Sequence, residues 1–420
     1  MISPRVTDQL TPRSSPSETI LTSVERTSPR PIRITHLITG LNTGGAEMML
    51  YKVLSQMNRN TFRAEVISML DAGTLGEKIA RLGVRVRTLN MRPGIPDPRA
   101  LWRLVQLLKE QPPDLIQTWM YHANLMGGIA ASLAQGIPII WGIHHSNFDP
   151  QKSKRRTVWT MKAAALLSSR IPRGIICCGE VPRQVHIQAG YDAQKITVIP
   201  NGFDLAAFCP DPLARISVRR ELGIPQEAPI IGLIARFHPK KDHRTFIEAA
   251  GLLHQHRPDA HFVLCGDGIS PDNQELSQWI RQAGIGGYCK LLGVREDMPR
   301  LMASLDVAAS SSSYGEGFPI VLGEAMACGV PCVATNVGDS ALIIGSTGQI
   351  VPAQQPSSLA QAWAEILELS AEQKSQLGRE ARLRIERNFS LPVIVRRYEN
   401  LYKELVVGTD PASHYLLIGR

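Results

Sequence analysis

From Arg33 onward, short apolar runs alternate with turns and with stretches whose apolar positions recur every three or four residues. The runs predict seven strands in the first half of the chain and six in the second. They cover residues 34–39, 64–70, 84–89, 115–119, 138–143, 174–178 and 196–199, then 230–235, 261–265, 290–292, 307–309, 331–334 and 349–351. Helical patterns, such as 46–56 and 101–109, separate them. Strands that are apolar throughout and alternate with helices are typical of parallel sheets covered on both faces.

This pattern predicts an α/β protein with two doubly wound, Rossmann-like domains that face a cleft. We expect an N-terminal domain over residues 31–205, a C-terminal domain over 206–392, and a last helix at 393–406. Residues 1–30 are rich in Pro, Ser, Thr and Arg and lack an apolar run, which predicts a disordered tail. Ligands of such folds bind at the carboxyl ends of the strands, so the chemistry should lie in the cleft.

Composition narrows the class of protein. The 420 residues include no run of about 18 apolar residues, which argues against a membrane-spanning helix, and the N-terminus has no signal-peptide pattern. The seven cysteines are scattered without metal-ligand spacing, which favours reduced thiols in a cytoplasmic protein.

The two halves of the chain differ in charge. Residues 31–205 carry 21 Lys and Arg against 11 Asp and Glu, whereas residues 206–420 carry 21 Lys and Arg against 23 Asp and Glu. The basic half favours an anionic partner, namely a phospholipid surface, a lipid-linked phosphate or nucleic acid.

Two glutamates eight positions apart, Glu316 and Glu324, are the most informative feature. They predict a strand, a tight turn and a helix, with Pro319 at the first helical position and Glu324 about a turn and a half along. The free N–H groups at the helix start, with Gly317 and Phe318 before them, would form a cradle for an anion or a sugar hydroxyl. The alternative is a surface turn with two solvated carboxylates.

Other candidates follow strand ends. Gly44 and Gly45 open a helix after the first strand and would let a phosphate or sugar approach, although glycine turns there are often structural. His144 and His145 end the fifth strand and should point into the cleft, unless they are hydrogen-bonded structural histidines.

In the second half, Arg236 ends the first strand and Lys241 follows five residues later. These two cations suit a diphosphate. Gly266 lies in a loop that resembles a nucleotide contact or is an ordinary turn. No two aspartates are two positions apart, so the chain lacks an Asp-x-Asp metal clamp. We therefore predict no metal and no other cofactor, with the diphosphate neutralised by protein cations.

Together these segments resemble glycosyltransferase family 4, whose members are retaining, nucleotide-sugar-dependent enzymes with the GT-B fold. The resemblance covers about residues 31–405 and rests on motifs in the family's order. They are GGAE from Gly44, VIPNGFD at 198–204, R-x4-K at Arg236, CGDG at 265–268, LLGVREDMP at 291–299, and E-x7-E at Glu316.

The resemblance implies residue roles. Arg236 and Lys241 would hold the donor diphosphate, Glu324 the ribose, and Glu316 with the backbone of Gly317, Phe318 and Pro319 the donor sugar. Val294 and Arg295 would meet the nucleobase, while Gly44 and Gly45 would approach from the other domain. A histidine after the fifth strand would approach the transferred sugar, and we favour His144 over His145. The last helix would cross back to the N-terminal domain.

A basic amphipathic stretch in the N-terminal half predicts a membrane-docking helix. It holds Trp159, Met161, Leu166 and Leu167 among the cations Lys152, Lys154, Arg155, Arg156, Lys162 and Arg170. We expect it to bind anionic lipid on the inner face of the cell membrane and to present a lipid-linked acceptor. The alternative is a solvated helix face.

The main prediction is therefore a retaining glycosyltransferase that moves a sugar from a nucleotide-sugar, with a UDP-sugar favoured, to a lipid-linked or polysaccharide acceptor in cell-surface glycan synthesis. The alternatives are a nucleotide-sugar epimerase or a phosphorylase of the same fold, or a non-catalytic binding subunit. The four intact charged residues argue against the binding subunit. Nucleic-acid binding lacks a basic motif interleaved with aromatic residues.

Overall fold

All thirteen predicted strands are present in the computed structural model, which describes residues 30–93, 95, 97–144 and 155–407, without the side chains of Arg155, Arg156 and Val407. Each strand begins and ends within two residues of its predicted bounds. The strands are β1 (Ile32–Ile38), β2 (Phe62–Ser68), β3 (Arg85–Thr88), β4 (Leu115–Trp119), β5 (Ile139–Ile143), β6 (Gly174–Cys177), β7 (Ile196–Val198), β8 (Ile230–Ile234), β9 (His261–Cys265), β10 (Cys289–Leu291), β11 (Val307–Ser310), β12 (Cys332–Thr335) and β13 (Gly348–Val351).

The helices connect these strands and cover both faces of the sheets. They are α1 (Gly45–Gln56), α2 (Gly73–Arg81), α3 (Pro98–Glu110), α4 (Tyr121–Leu133), α5 (Arg155–Leu167), α6 (Glu180–Gln188), α7 (Pro212–Leu222), α8 (His243–His256), α9 (Gln274–Gln282), α10 (Met298–Ala303), α11 (Ile320–Ala327), α12 (Ser340–Ile344), α13 (Pro356–Glu368), α14 (Ala371–Phe389) and α15 (Leu391–Val407). Side-chain caps fix several starts: Asp97 accepts hydrogen bonds from the backbone at the start of α3, and Asp211 does so at the start of α7.

Two separate parallel sheets result. The first has the order β3-β2-β1-β4-β5-β6-β7 and the second β10-β9-β8-β11-β12-β13. Both are doubly wound, because the strand order reverses between β1 and β4 and again between β8 and β11. Two apolar clusters pack on opposite faces of each sheet. The predicted doubly wound α/β class is therefore confirmed.

The last helix packs on the first sheet although it follows the second in sequence. Its buried residues Ile394, Tyr398 and Tyr402 lie in one cluster with residues of β1 and α1. The 202–204 segment connects the sheets, and Phe203 N donates to Phe389 O at 2.9 Å. The predicted disordered tail lies outside the described residues, apart from Arg30.

Candidate functional site

The switch point of the second sheet brings the predicted charged residues together. β8 and β11 are neighbouring parallel strands, and their carboxyl ends lie at the same edge. Arg236 follows β8 by two residues, and Glu316 lies in the turn after β11. Ligands of doubly wound sheets bind outside this edge. The local pattern of strand and turn thus places both groups at a binding edge.

Glu316 is nearly buried and pairs with one of the two predicted cations. Its Oε1 lies 2.7 Å from Lys241 Nζ and accepts a hydrogen bond from Ser312 Oγ at 3.0 Å. Arg236, in contrast, is exposed and forms no hydrogen bond or ion pair with a residue that the structure describes. One cation of the site is therefore held in place, and the other is open to an anion.

The serine run before the turn connects it to the cationic segment. Ser311 Oγ donates to Lys241 O at 2.9 Å, and Ser313 N donates to Lys240 O at 2.9 Å. Thr335 Oγ1 donates to Ser312 O at 2.6 Å from the next strand. These bonds fix the distance between the Lys241 backbone and the Glu316 turn, which the sequence alone did not indicate.

Glu324 lies on α11, partly buried, at the fifth helical residue. Burial raises the pKa of Glu324 to about 7, and the charge of Lys52 on α1 opposes that rise. Lys52 belongs to the other domain, where its Nζ donates to Gly202 O at 3.3 Å. The expected helix position of Pro319 was wrong by one residue, because Pro319 is the N-cap of α11. Glu324 therefore lies one turn along the helix, and no side chain caps its first N–H groups.

The expected nucleobase loop is joined to the CGDG loop. Gly266 N donates to Gly293 O at 2.7 Å, and Gly266 has a φ of +148°, with the Ala235 backbone filling the space of a β-carbon. This close approach requires glycine. Val294 is 72% exposed, whereas the Arg295 guanidinium binds Glu221 and Asp297, each at 2.6 Å. The groups of this loop that are free to contact a nucleobase are therefore its backbone and the Val294 side chain.

From the first sheet, α1 and β5 contribute the remaining candidates. Gly44 is the N-cap of α1, and no other described part of the chain comes within 4 Å of the place that a Gly45 side chain would occupy. The start of α1 is therefore open to a ligand at Gly45, whereas the Glu47 carboxylate lies beside Gly44. His145 lies outside the described residues.

His144 follows β5 and stacks on Trp119 at the end of β4, with ring centroids 4.6 Å apart. Both of its ring nitrogens are shielded and have no hydrogen-bond partner among the described residues. Burial lowers the pKa of His144 to about 4. At neutral pH the ring is therefore uncharged, and a sugar hydroxyl would reach its nitrogens only after they become exposed.

Sequence reasoning missed two groups beside the site. Trp119 supports His144 from below, and its position at a strand end was a usable signal. The charge of Lys52 lowers the pKa of Glu324 from the other domain, and no motif pointed to this residue.

The predicted docking helix is α5, and its exposed side is partly apolar. Trp159 is 74% and Leu166 81% exposed, and Lys162 is exposed between them. Met161, in contrast, is buried against the core. Lys152 and Lys154 lie outside the described residues.

The described part of the chain offers neither a metal-binding cluster nor a membrane-spanning helix. It holds no cluster of three or more His, Cys, Asp or Glu side chains that could bind a metal ion. Its helices include none with the length and apolar character needed to cross a bilayer.

Comparison with known proteins places both halves in glycosyltransferase groups. Residues 43–207 match the sequence model described as Glycosyltransferase Family 4, and residues 215–384 match that of Glycosyl transferases group 1. The chain is 26% identical over 320 residues to the UDP-Gal:alpha-D-GlcNAc-diphosphoundecaprenol alpha-1,3-galactosyltransferase of Escherichia coli, covering 75% of this chain and 81% of that protein. It is 31% identical over 233 residues to the D-inositol 3-phosphate glycosyltransferase of Salinispora tropica, covering 51% and 48%.

Solved structures share the fold. Anabaena Alr3699/HepE in complex with UDP superimposes with a TM-score of 0.78 at 26% identity, over 89% of this chain and all of that one. Its complex with UDP-glucose gives 0.72 over 88% of this chain and 99% of that one. The predicted GT-B fold is confirmed, and the chain belongs to glycosyltransferase family 4.

Proposed function

We propose that this glycosyltransferase is a retaining, metal-independent enzyme that moves a hexose from a UDP-sugar to a lipid-linked acceptor. The observation that carries the proposal is the set of charged groups at the switch point of the second sheet. Arg236 is open to an anion, Lys241 and Glu316 form a pair at 2.7 Å, and Glu324 lies one turn along α11. Two cations and two carboxylates match the charges and hydroxyls of a nucleotide diphosphate sugar.

The arrangement suits a reaction in which the diphosphate leaves. The bond between the anomeric carbon and the β-phosphate oxygen breaks, and its electron pair goes to that oxygen. Arg236 and Lys241 stabilise the charge that develops there. The acceptor hydroxyl oxygen then bonds to the anomeric carbon on the same face, and its proton goes to the departing phosphate oxygen.

Donor binding would also change the Lys241 pair. The diphosphate competes with Glu316 for the lysine, which frees that carboxylate to accept hydrogen bonds from sugar hydroxyls. The neutral His144 ring would approach the same sugar from the first sheet. UDP-bound HepE and the galactosyltransferase of a diphosphoundecaprenol-linked sugar support the choice of UDP and of a lipid-linked acceptor.

A donor panel tests this proposal. UDP-, GDP- and ADP-sugars are mixed with the enzyme, with and without EDTA, and thermal stabilisation and nucleotide release are measured. We expect one UDP-sugar to stabilise the protein and to release UDP at a rate that EDTA leaves unchanged. Glu316→Ala should lose about 100-fold of that release, whereas Glu380→Ala, an exposed site on α14, should match wild type.

Three results would count against the proposal. Release abolished by EDTA would contradict the metal-independent reaction, and stabilisation by a GDP- or ADP-sugar alone would contradict the UDP donor. Conversion of the donor sugar to its epimer without acceptor would favour the epimerase.

We also propose that α5 docks on anionic lipid. The exposed stripe of Trp159, Lys162 and Leu166 combines apolar insertion with positive charge. Leu133 on the neighbouring α4 is 57% and Trp102 on α3 64% exposed.

Co-sedimentation with phosphatidylserine-containing vesicles tests the docking. We expect Trp159→Ser with Leu166→Ser to reduce the bound fraction strongly. Leu213→Ser, which changes a leucine 75% exposed on α7, should bind like wild type. Equal binding of all three proteins would refute docking through α5.

A further inference from the structure

Asp339 belongs to the second sheet but caps a helix of the first. It follows β12 and is only 3% exposed. Its Oδ2 accepts a hydrogen bond from Glu180 N at 2.7 Å, and its Oδ1 accepts one from Val181 N at 2.9 Å. Asp339 is also the N-cap residue of α12, yet its carboxylate makes no capping bond there. Both carboxylate oxygens therefore serve the N-terminus of α6 in the opposite domain.

Gly179, just before α6, makes this approach possible. Its backbone is extended, and a β-carbon at this position would overlap Asp339 Oδ2. Any other residue would push the carboxylate away from the helix. The close fit thus depends on one residue from each domain, 160 positions apart in the chain.

The same loop supports the donor turn. Asp339 N donates to Gly317 O at 2.7 Å. Gly338 has a φ of +62°, and a β-carbon there would lie 2.7 Å from the carbonyl oxygens of Glu316 and Gly317. Glycine is required both by the φ and by the contact. One two-residue segment therefore touches the Glu316 turn on one side and the opposite domain on the other.

The hydration that the Asp339 carboxylate loses on burial is offset by the hydrogen bonds that it gains, which suits a contact that forms and breaks. Burial raises the pKa of Asp339, and the two backbone N–H groups oppose that rise. Water would hydrate both the carboxylate and the N–H groups if the domains separated. The hydrogen bonds and the positive end of the helix offset the lost hydration when the domains close.

We propose that Asp339 is a positioning residue, which ties the closed arrangement of the two domains to the placement of the Glu316 turn. This inference rests on the proposed function, since the turn is taken to hold the donor sugar. Asp339 itself touches neither the sugar nor the diphosphate. Its loss should impair turnover and leave nucleotide binding intact, because Arg236, Lys241 and Glu324 all lie in one domain.

Kinetics on two independent variants test the inference. We expect Asp339→Ala and Gly179→Ala each to lower kcat by about 10- to 100-fold, with the Kd of UDP at pH 8, where Glu324 is ionised, changed less than about twofold. The double variant should be no slower than Asp339→Ala alone, because the alanine at 179 has no carboxylate left to displace. Asp272→Ala and Gly286→Ala are matched controls, since Asp272 is exposed and no other described residue comes within 4 Å of the position of a Gly286 side chain.

Small-angle scattering without ligand supplies a readout independent of activity. Both variants should show a larger radius of gyration than wild type, at unchanged circular dichroism. Unchanged scattering, or kcat within about twofold of wild type, would overturn the inference. If wild type transfers no sugar from any UDP-sugar of the donor panel but the scattering still differs, the proposed function fails and the domain contact is supported.

Discussion

The pKa of Glu324 predicts that donor binding depends on pH. In the role proposed for Glu324, the ionised carboxylate accepts hydrogen bonds from two ribose hydroxyls, and burial raises the pKa of Glu324 to about 7 in the free protein. Protonation then competes with binding. The apparent Kd equals the Kd of the ionised form multiplied by one plus ten to the power of pKa minus pH. With a pKa of about 7, the apparent Kd is therefore about 10-fold higher at pH 6 than at pH 8.

Calorimetric titration with UDP-glucose measures this effect cleanly. Both of its phosphates are esterified, so the ligand does not titrate in this range. His144 and His243 both have their pKa lowered to about 4 by burial, so they remain neutral throughout. We expect the affinity to rise with pH and to level off above about pH 8.

Two variants separate Glu324 from other causes. Glu324→Gln keeps the shape without a titrating group, so its weaker binding should not vary with pH. Lys52→Met removes the charge that favours the carboxylate, so the midpoint should move to higher pH. A flat wild-type profile, or a slope retained in Glu324→Gln, would refute the reasoning.

Three further changes have defined outcomes. Glu324→Gln should stabilise the fold by about 3 kcal/mol at pH 8, because the raised pKa costs stability as pH rises from about 4.5 through 7. Urea unfolding below pH about 4.5 and at pH about 8 should show the gain only at the higher pH. Met120 has φ +75° and ψ 160°, a backbone conformation that favours glycine. Met120→Gly should therefore be more stable than Met120→Ala by about 1 kcal/mol, the reverse of the usual order. Equal melting temperatures of the two variants would show that the backbone at this position is not strained. Gly323→Ala would make its β-carbon overlap the Phe203 ring and should cost about 2 kcal/mol of stability. Most of this stability should be recovered when Phe203 is also changed to Leu. An unchanged denaturation midpoint would contradict the overlap.

The strands were predictable because parallel strands buried on both faces need continuous apolar runs. β5 and β6 are buried at every position, and their runs stand out from the amphipathic helices around them. The site residues of the second domain were predictable for a related reason. Arg236 and Glu316 follow strand ends, and strand ends of one parallel sheet meet at one edge.

The sequence by itself determined two doubly wound sheets, their binding edges and the charged residues at those edges. Only the tertiary structure decided how the sheets meet. Asp339 and the start of α6 are at least 158 positions apart in the chain, and Lys52 and Glu324 are 272 positions apart. No local period or spacing encodes such contacts, because they arise from the packing of whole domains. The burial that sets the pKa of Glu324 is likewise a property of the assembled cleft rather than of the residues next to it.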